Sequence, residues 1–218
     1  YEVFDEERYF DADDNPCVVP IKGVRLGVNI CEDTWDEAAP RAARAAGAQV
    51  LLSLNASPYH LGKQNIRYDV MRERLAENGM PLVYVNMVGG QDELVFDGAS
   101  FALDRAGVVT HQLPMFKEAL AFVTVQNGDL LAGEITPERA VEADVYDALC
   151  LGVRDYVTKN GFPGVLLGLS GGIDSALTVA IAADALGAHK VHAVMMPSQY
   201  TAGMSREDAC AEADALGV

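Results

Sequence analysis

The chain is short of several things, and each shortage removes a class of protein. Only 16 of its 218 residues are lysine or arginine against 32 aspartates and glutamates, a net charge of −16. Such a balance argues against a nucleic-acid partner or an anionic membrane surface. It leaves room for one local phosphate site, because backbone N–H groups can bind an anion without any lysine. Cysteine is scarce too: Cys17, Cys31, Cys150 and Cys210 lie far apart with no CxxC pair. That excludes a zinc finger and a dense disulfide framework, and reduced thiols in a cytoplasmic protein are the expectation. His60, His111, His189 and His192 show no metal-ligand spacing. No apolar run spans a bilayer, and no signal-peptide pattern is present. Half of the residues are nevertheless hydrophobic, enough for a sizeable core.

What is present alternates between strand and helix patterns. "VRLGVNI" (residues 24–30) reads as a strand and "DEAAPRAARAAGA" (36–48) as a helix that stops at Gly47. "QVLLSLNA" (49–56) is a second strand, "NIRYDVMRERLAENG" (65–79) a second helix with Gly79 as its cap, and "PLVYVNMVG" (81–89) a third strand. Parallel crossovers follow from that order. "LVFDGASFALDRAGVVTHQL" then predicts antiparallel strands turning at Asp97-Gly98 and Ala106-Gly107. A polar seam covers residues 127–140. In it Thr136 is placed to cap a helix and Pro137 to open one that runs to about Lys159. Beyond the seam the pattern predicts a strand over 164–169, a helix over 173–186, a strand over 191–196 and a helix from Ser205 onward. Two α/β domains are expected, 1–130 and 131–218.

The sharpest local feature is "GLSGGIDS", Gly168 to Ser175, set between a strand and a helix. Gly171 and Gly172 have no Cβ, so backbone N–H groups can approach an anion. The helix start adds a partial positive charge. Ser170 and Ser175 can donate hydroxyl bonds. Asp174 would repel a phosphate, unless a Mg²⁺ shared between its carboxylate and the phosphates removes the conflict. The loop lacks the lysine of a Walker A sequence and is not a dinucleotide fingerprint. A capped glycine turn with no ligand is the plainer alternative.

A second feature is Cys31 in "GVNICEDTW". It follows a strand end, at a turn before a helix start, where exposure and the helix dipole favour thiolate. The residues alone leave open a buried, inert thiol.

Two resemblances join these features. "SGGIDSA" resembles the pyrophosphate loop of the N-type ATP pyrophosphatases. "VHAVMMPSQYTAGMSREDACAEADALG" is similar to their NAD synthetase branch, with Met196, Pro197, Ser198 and Tyr200 matching and Thr201 and Ala202 departing from the usual serines. "GVNICEDTW", "LLSLNASPYHLGK" and "VYVNMVGGQDELVFDGASF" resemble the nitrilase-type glutaminase domain of glutamine-dependent NAD synthetases. The opening "YEVFDEERYF" resembles the end of that family's lysine motif.

The resemblance implies a partial nitrilase-like αββα sandwich followed by a partial, Rossmann-like doubly wound ATP pyrophosphatase domain. It implies Cys31 as nucleophile and Tyr1, Glu32, Trp35, Ser57 and Lys63 as glutamine contacts, with the Glu32 N–H as an oxyanion donor. It implies an ATP site over Gly168, Leu169, Ser170, Gly171, Gly172, Ile173, Asp174 and Ser175, with Asp174 as Mg²⁺ ligand. ATP and Mg²⁺ are the expected small molecules besides glutamine and deamido-NAD, with no other cofactor. An ammonia tunnel and a homo-oligomer are implied as well. The family's catalytic glutamate and lysine have no match here, so the chain is expected to be an internal piece without glutaminase activity of its own. Three other readings stay open: a glutamine amidotransferase of the same loop class with another acceptor, a carbon–nitrogen hydrolase with a non-catalytic extension, and a chain that only folds or binds.

Overall fold

A computed structural model describes residues 8–218. Its secondary structure falls into two units. The first holds the described residues up to Met87, with Ala99–Pro114 and Ala119–Thr136; the second holds Val88–Gly98, Met115–Glu118 and Pro137–Val218.

The first unit is built on one sheet. Its strands are β1 (Cys17–Ile21), β2 (Val24–Ile30), β3 (Val50–Asn55), β4 (Leu82–Asn86), β7 (Phe101–Leu103) and β8 (Val109–Gln112). They lie side by side in the order β1-β2-β3-β4-β7-β8. The central pairs β2–β3 and β3–β4 are parallel, joined through helices α1 (Ala38–Ala45) and α2 (Lys63–Asn78), as the alternating pattern predicts. The flanking pairs are antiparallel.

Strand alternation decides the two faces. Leu51, Leu82, Tyr84, Phe101 and Leu103 pack with Ala43 of α1 and Met71 and Leu75 of α2. Tyr84 stacks on Phe101 at 4.9 Å between ring centroids. Val50, Ala102 and Leu130 form a core on the opposite side, with Leu26, Leu52 and Val83 packed against it. Two short paired strands, β9 (Val125–Gln126) and β10 (Asp129–Leu130), carry Leu130 there.

The second unit contains the hairpin β5 (Val88–Gln91) and β6 (Leu94–Asp97), helix α3 (Val141–Lys159), strand β11 (Val165–Gly168), helix α4 (Ile173–Leu186), strand β12 (Val191–Val194) and helix α5 (Gly203–Leu216). Strands β11 and β12 pair in parallel around α4, so a βαβ crossover is complete. Its core joins Val157 of α3, Leu169, Val179, Ala182 and Leu186 of α4, Val191 and Ala209.

The hairpin rests on α3 through close backbone contact. A Cβ on Gly90 would stand 3.2 Å from the Gly152 Cα, and one on Gly152 3.2 Å from Val95 Cγ2. The Gly90 N–H donates to Asp155 Oδ2 at 2.8 Å, and Lys159 Nζ donates to the Gly90 carbonyl at 2.6 Å.

Several expectations need correction. The strand expected over 81–89 is two: β4 ends at Asn86 and β5 starts at Val88 with a new partner. Asp97-Gly98 is not a hairpin turn, because β6 pairs back onto β5 and β7 pairs with β4. Ala106-Gly107 does turn between β7 and β8. The seam helix starts at Val141 with Ala140 as its N-cap, so neither Thr136 nor Pro137 opens it. The Thr136 N–H is bound to the Gln112 carbonyl, which commits that residue to the sheet edge. Helix α1 spans only Ala38–Ala45, and Gly47 lies just past its end at φ 90°. Strand β1, Cys17–Ile21, has no counterpart in the sequence pattern.

Candidate active sites

In the first unit the thiol sits at the carboxyl end of β2. Chain direction must change there, and Cys31 takes a left-handed φ of 46° to do so. It opens a four-residue 3₁₀ turn, Cys31–Thr34, and not the first turn of an α-helix. The cysteine is half-buried, neither fully exposed nor sealed in the core. Asp33 folds back across it and accepts the Ile30 N–H at 2.9 Å. The Thr34 side chain points inward, fully buried.

Of the proposed glutamine contacts, two meet directly. Lys63 Nζ stands 4.4 Å from the centroid of the Trp35 ring, a cation–π pair. Lys63 is the first residue of α2, entered through Gly62 at φ 76°. Ser57 lies in the loop before it and is 4 % exposed. Its N–H donates to Asn86 Oδ1 at 2.9 Å, and its carbonyl accepts Arg67 Nη2 at 2.9 Å and Asn86 Nδ2 at 3.3 Å. Its hydroxyl oxygen accepts Arg67 Nη2 at 3.3 Å and Nε at 3.4 Å. With donors on that oxygen, the one hydroxyl proton is left to donate. Glu32 is exposed on the Cys31 turn. Tyr1 lies outside the described residues.

Arg67 joins this group without a motif that predicts it. It is wholly buried, which is rare for arginine without partners. Its signal was in the sequence: residues 67, 71 and 75 recur at helical spacing, and Met71 and Leu75 face the core.

In the second unit the glycine loop follows β11 and opens α4. The N-cap is Gly172, and no side chain caps the helix. The first-turn N–H groups are therefore available to a ligand or to water. The loop closes on itself: Ser175 Oγ donates to the Gly172 carbonyl at 2.9 Å and accepts the Ser170 N–H at 3.2 Å. Because the Ser175 proton is so used, the 3.0 Å contact between the two hydroxyls has Ser170 as donor. Gly171 has φ 81°, and a Cβ there would stand 2.1 Å from the Ser205 carbonyl oxygen of α5. Leu169 gives its side chain to the core and its N–H to the Val194 carbonyl. Gly168, Ser170, Ile173 and Asp174 are exposed.

The segment after β12 comes to the same strand end. Met196 Cε lies 3.5 Å from where a Gly168 Cβ would be. Thr201, one of the departures from the resemblance, closes the turn that begins at Ser198. Its hydroxyl accepts the Ser198 N–H at 2.8 Å, and its own N–H donates to the Ser198 carbonyl at 3.1 Å. Arg206 Nη2 donates to the Ser198 carbonyl at 3.2 Å. Sites at the carboxyl ends of parallel strands are where open α/β sheets bind ligands. Among the described residues no three His, Cys, Asp or Glu side chains gather to hold a metal. Asp174 stands exposed in the first turn of α4.

Comparison with known proteins decides the family. Residues 2–132, more than half of the chain, match the carbon–nitrogen hydrolase family. The chain belongs to the carbon–nitrogen hydrolase family. Residues 145–218 of the chain match a second family, NAD synthase.

Across both regions it is similar to the glutamine-dependent NAD(+) synthetase of Rhodobacter capsulatus, 49 % identical over 99 % of this chain and 40 % of that protein. The synthetase of the same name from Acinetobacter baylyi is 46 % identical over 100 % of this chain and 41 % of that protein. A solved structure of the glutamine-dependent NAD+ synthetase of Acinetobacter baumannii, in complex with adenosine diphosphate, matches with a TM-score of 0.94 at 44 % identity, over 100 % of this chain and 42 % of that one. The chain thus spans about two fifths of the length of the relatives it matches. Among the described residues no helix is long and apolar enough to cross a membrane.

Proposed function

We propose that this chain forms part of a glutamine-dependent NAD(+) synthetase, which amidates deamido-NAD with ammonia taken from glutamine. Residues 1–130 belong to its glutaminase domain and residues 131–218 to its ATP-binding domain. One observation carries the reading: a chain that is 49 % identical to such an enzyme over 99 % of its length has a half-buried thiol in a left-handed strand-end turn and an uncapped glycine loop opening a helix.

At the first site the Cys31 thiolate attacks the side-chain amide carbon of glutamine. The proton given up by the thiol passes to the leaving nitrogen, so ammonia departs and a glutamyl thioester remains; water then hydrolyses it to glutamate and regenerates the thiol. The Glu32 N–H donates to the oxyanion. Ser57 donates its proton to the amino-acid head group, and Lys63, held over Trp35, offers its charge to the carboxylate. In this reading Glu32 and Tyr1 are further glutamine contacts.

At the second site the backbone of Gly168–Ser175 cradles the pyrophosphate of ATP, and Ser170 and Ser175 give up their hydroxyl bonds within the loop to donate to it. A Mg²⁺ bound there would neutralise phosphate charge, and Asp174 would hold it. The carboxylate of deamido-NAD attacks the α-phosphorus and pyrophosphate leaves. Ammonia then attacks the acyl carbon, AMP departs, and the amide is formed. A cytoplasmic location and assembly as a homo-oligomer go with this reading.

The test uses the full-length gene product. Cys31→Ala is expected to abolish glutamine-driven NAD synthesis while ammonia-driven synthesis continues. Retention of the glutamine-driven rate in that variant would remove Cys31 from the reaction.

A further inference from the structure

We infer that Thr34, Ser53 and Asn55 are positioning residues for Cys31: a one-way chain of hydrogen bonds that holds the nucleophile's turn in its left-handed conformation. The inference rests on the reading of Cys31 as the nucleophile.

The need for such a device follows from the backbone. Cys31 has a Cβ and a φ of 46°. That conformation is unfavourable for a residue other than glycine and persists only where the surroundings over-determine it. The turn is tied at its start by Asp33, whose carboxylate takes the Ile30 N–H. Its last residue, Thr34, is tied to the sheet by its hydroxyl, 2.8 Å from Ser53 Oγ on β3. Thr34 and Ser53 are both 0 % exposed, so water does not compete for this bond.

The direction of the chain can be worked out from its far end. Asn55 Nδ2 lies 2.8 Å from the Ser53 carbonyl and 3.0 Å from the Val85 carbonyl. Carbonyl oxygens only accept, so this end of the amide must be its NH₂. The amide oxygen therefore faces Ser53, whose hydroxyl donates to it at 3.0 Å. Ser53 has one proton, and it is now used. The remaining contact, with Thr34, has only one possible donor: Thr34 itself. The chain runs from Thr34 to Ser53 to Asn55 and ends on the backbone of β3 and β4. No proton in it can turn around without leaving a buried polar atom unmet, which costs more than the bond gains. The turn carrying Cys31 is thus fixed to the two central strands in a single orientation.

This arrangement separates the hydroxyl of Thr34 from its bulk. Thr34→Val keeps the shape and deletes the donor; Thr34→Ser keeps the donor. Both are made in the full-length gene product, with Ser53→Ala as an independent break in the chain. Three quantities are measured: kcat and KM for glutamine-driven synthesis, the ammonia-driven rate, and the pH profile of iodoacetamide alkylation at Cys31, read by mass spectrometry of its peptide. A misplaced nucleophile is expected to lower the glutamine-driven kcat of Thr34→Val and Ser53→Ala by about tenfold to a hundredfold. KM changes little, the ammonia-driven rate is kept, and the alkylation profile moves at Cys31 but not at Cys17 or Cys210. Thr34→Ser restores all three readings. A parental kcat and alkylation profile in Thr34→Val overturns the inference, as does an equal fall of both synthetic rates in Thr34→Val and Ser53→Ala. The underlying reading is tested apart from this: glutamine-driven synthesis by Cys31→Ala would end it, whereas loss of glutamine-driven synthesis in Cys31→Ala beside an unaffected Thr34→Val would end only the positioning role.

Discussion

Arg67 donates to both oxygens of Ser57, with Nη2 2.9 Å from the carbonyl and 3.3 Å from the hydroxyl oxygen. A fully buried guanidinium thereby orients a residue whose side chain is proposed to meet substrate. Arg67→Met removes these donors while keeping apolar bulk on α2. The expected loss of stability is about 1–3 kcal/mol from buried acceptors left short of a partner. It is read as a lower urea midpoint at unchanged slope. In the full-length gene product the same variant should raise KM for glutamine more than it lowers kcat.

The glycine loop offers a sharper test. Gly171→Ala asks for a left-handed alanine whose Cβ would stand 2.1 Å from the Ser205 carbonyl oxygen. Backbone cannot yield as a flexible side chain can, so the loop must move off α5. ATP binding, measured by titration calorimetry on the full-length gene product, should weaken by at least about tenfold, equivalent to 1.4 kcal/mol. An unchanged Kd would mean that the nucleotide does not use this loop.

Tyr146 supplies a pH signature in the second unit. Its hydroxyl donates to Asp184 Oδ2 at 2.7 Å, and chiefly through that bond its pKa is pushed up from 10.0 to about 12. The folded state therefore holds the phenolic proton more tightly than the unfolded state. Stability from this bond is fully present below pH 10 and is lost as pH rises from about 10 to about 12. Urea unfolding at stepped pH should show that decline, and Tyr146→Phe should flatten it. A phenolate absorbance titration should show one tyrosine ionising late in the parent and not in the variant.

Gly90 and Gly152 allow the hairpin backbone to touch α3. Gly90→Val places branched bulk where the clearance for a single Cβ is 3.2 Å to backbone. Overpacking of this kind costs about 1–3 kcal/mol, visible as a lower Tm. An unchanged Tm would mean that the hairpin does not rest on the helix in solution.

How much of this is legible in the sequence depends on the range of the contacts involved. Strand β2 and helix α4 can be read residue for residue, because hydrophobic period and glycine stops are local signals. Helix α2 follows from the same signals, with Gly79 ending it at φ 63°. Strand β1 escapes such a reading because it is an edge strand, mostly exposed, with Pro20 inside it. The break at Met87 escapes it because "VYVNMVGG" keeps a strand pattern while its pairing partner changes. Thr136-Pro137 copies a helix start, but the Thr136 N–H is already committed to Gln112.

The sites divide in the same way. Cys31 and the loop announce themselves through chain-local turns. The 4.4 Å contact between Trp35 and Lys63, and the bond from Thr34 to Ser53, join residues from different elements. No spacing rule reaches across that distance in sequence. Arg67 lies between these cases, since its buried position can be read from the stripe it shares with Met71 and Leu75.

The hairpin Val88–Gly98 also bears on how this protein can be taken apart. It falls within the residues matched to the carbon–nitrogen hydrolase family, yet it groups with α3 in the other unit. Ancestry and mechanics therefore draw the border in different places. A gene cut near residue 132 would hand each half the wrong inventory. The hydrolase half would carry a ribbon with nothing to lean on, and the other half would show water the strip of α3 around Gly152. Anyone wishing to express the halves separately, or to exchange one between relatives, would have to move the ribbon with the helix it leans on.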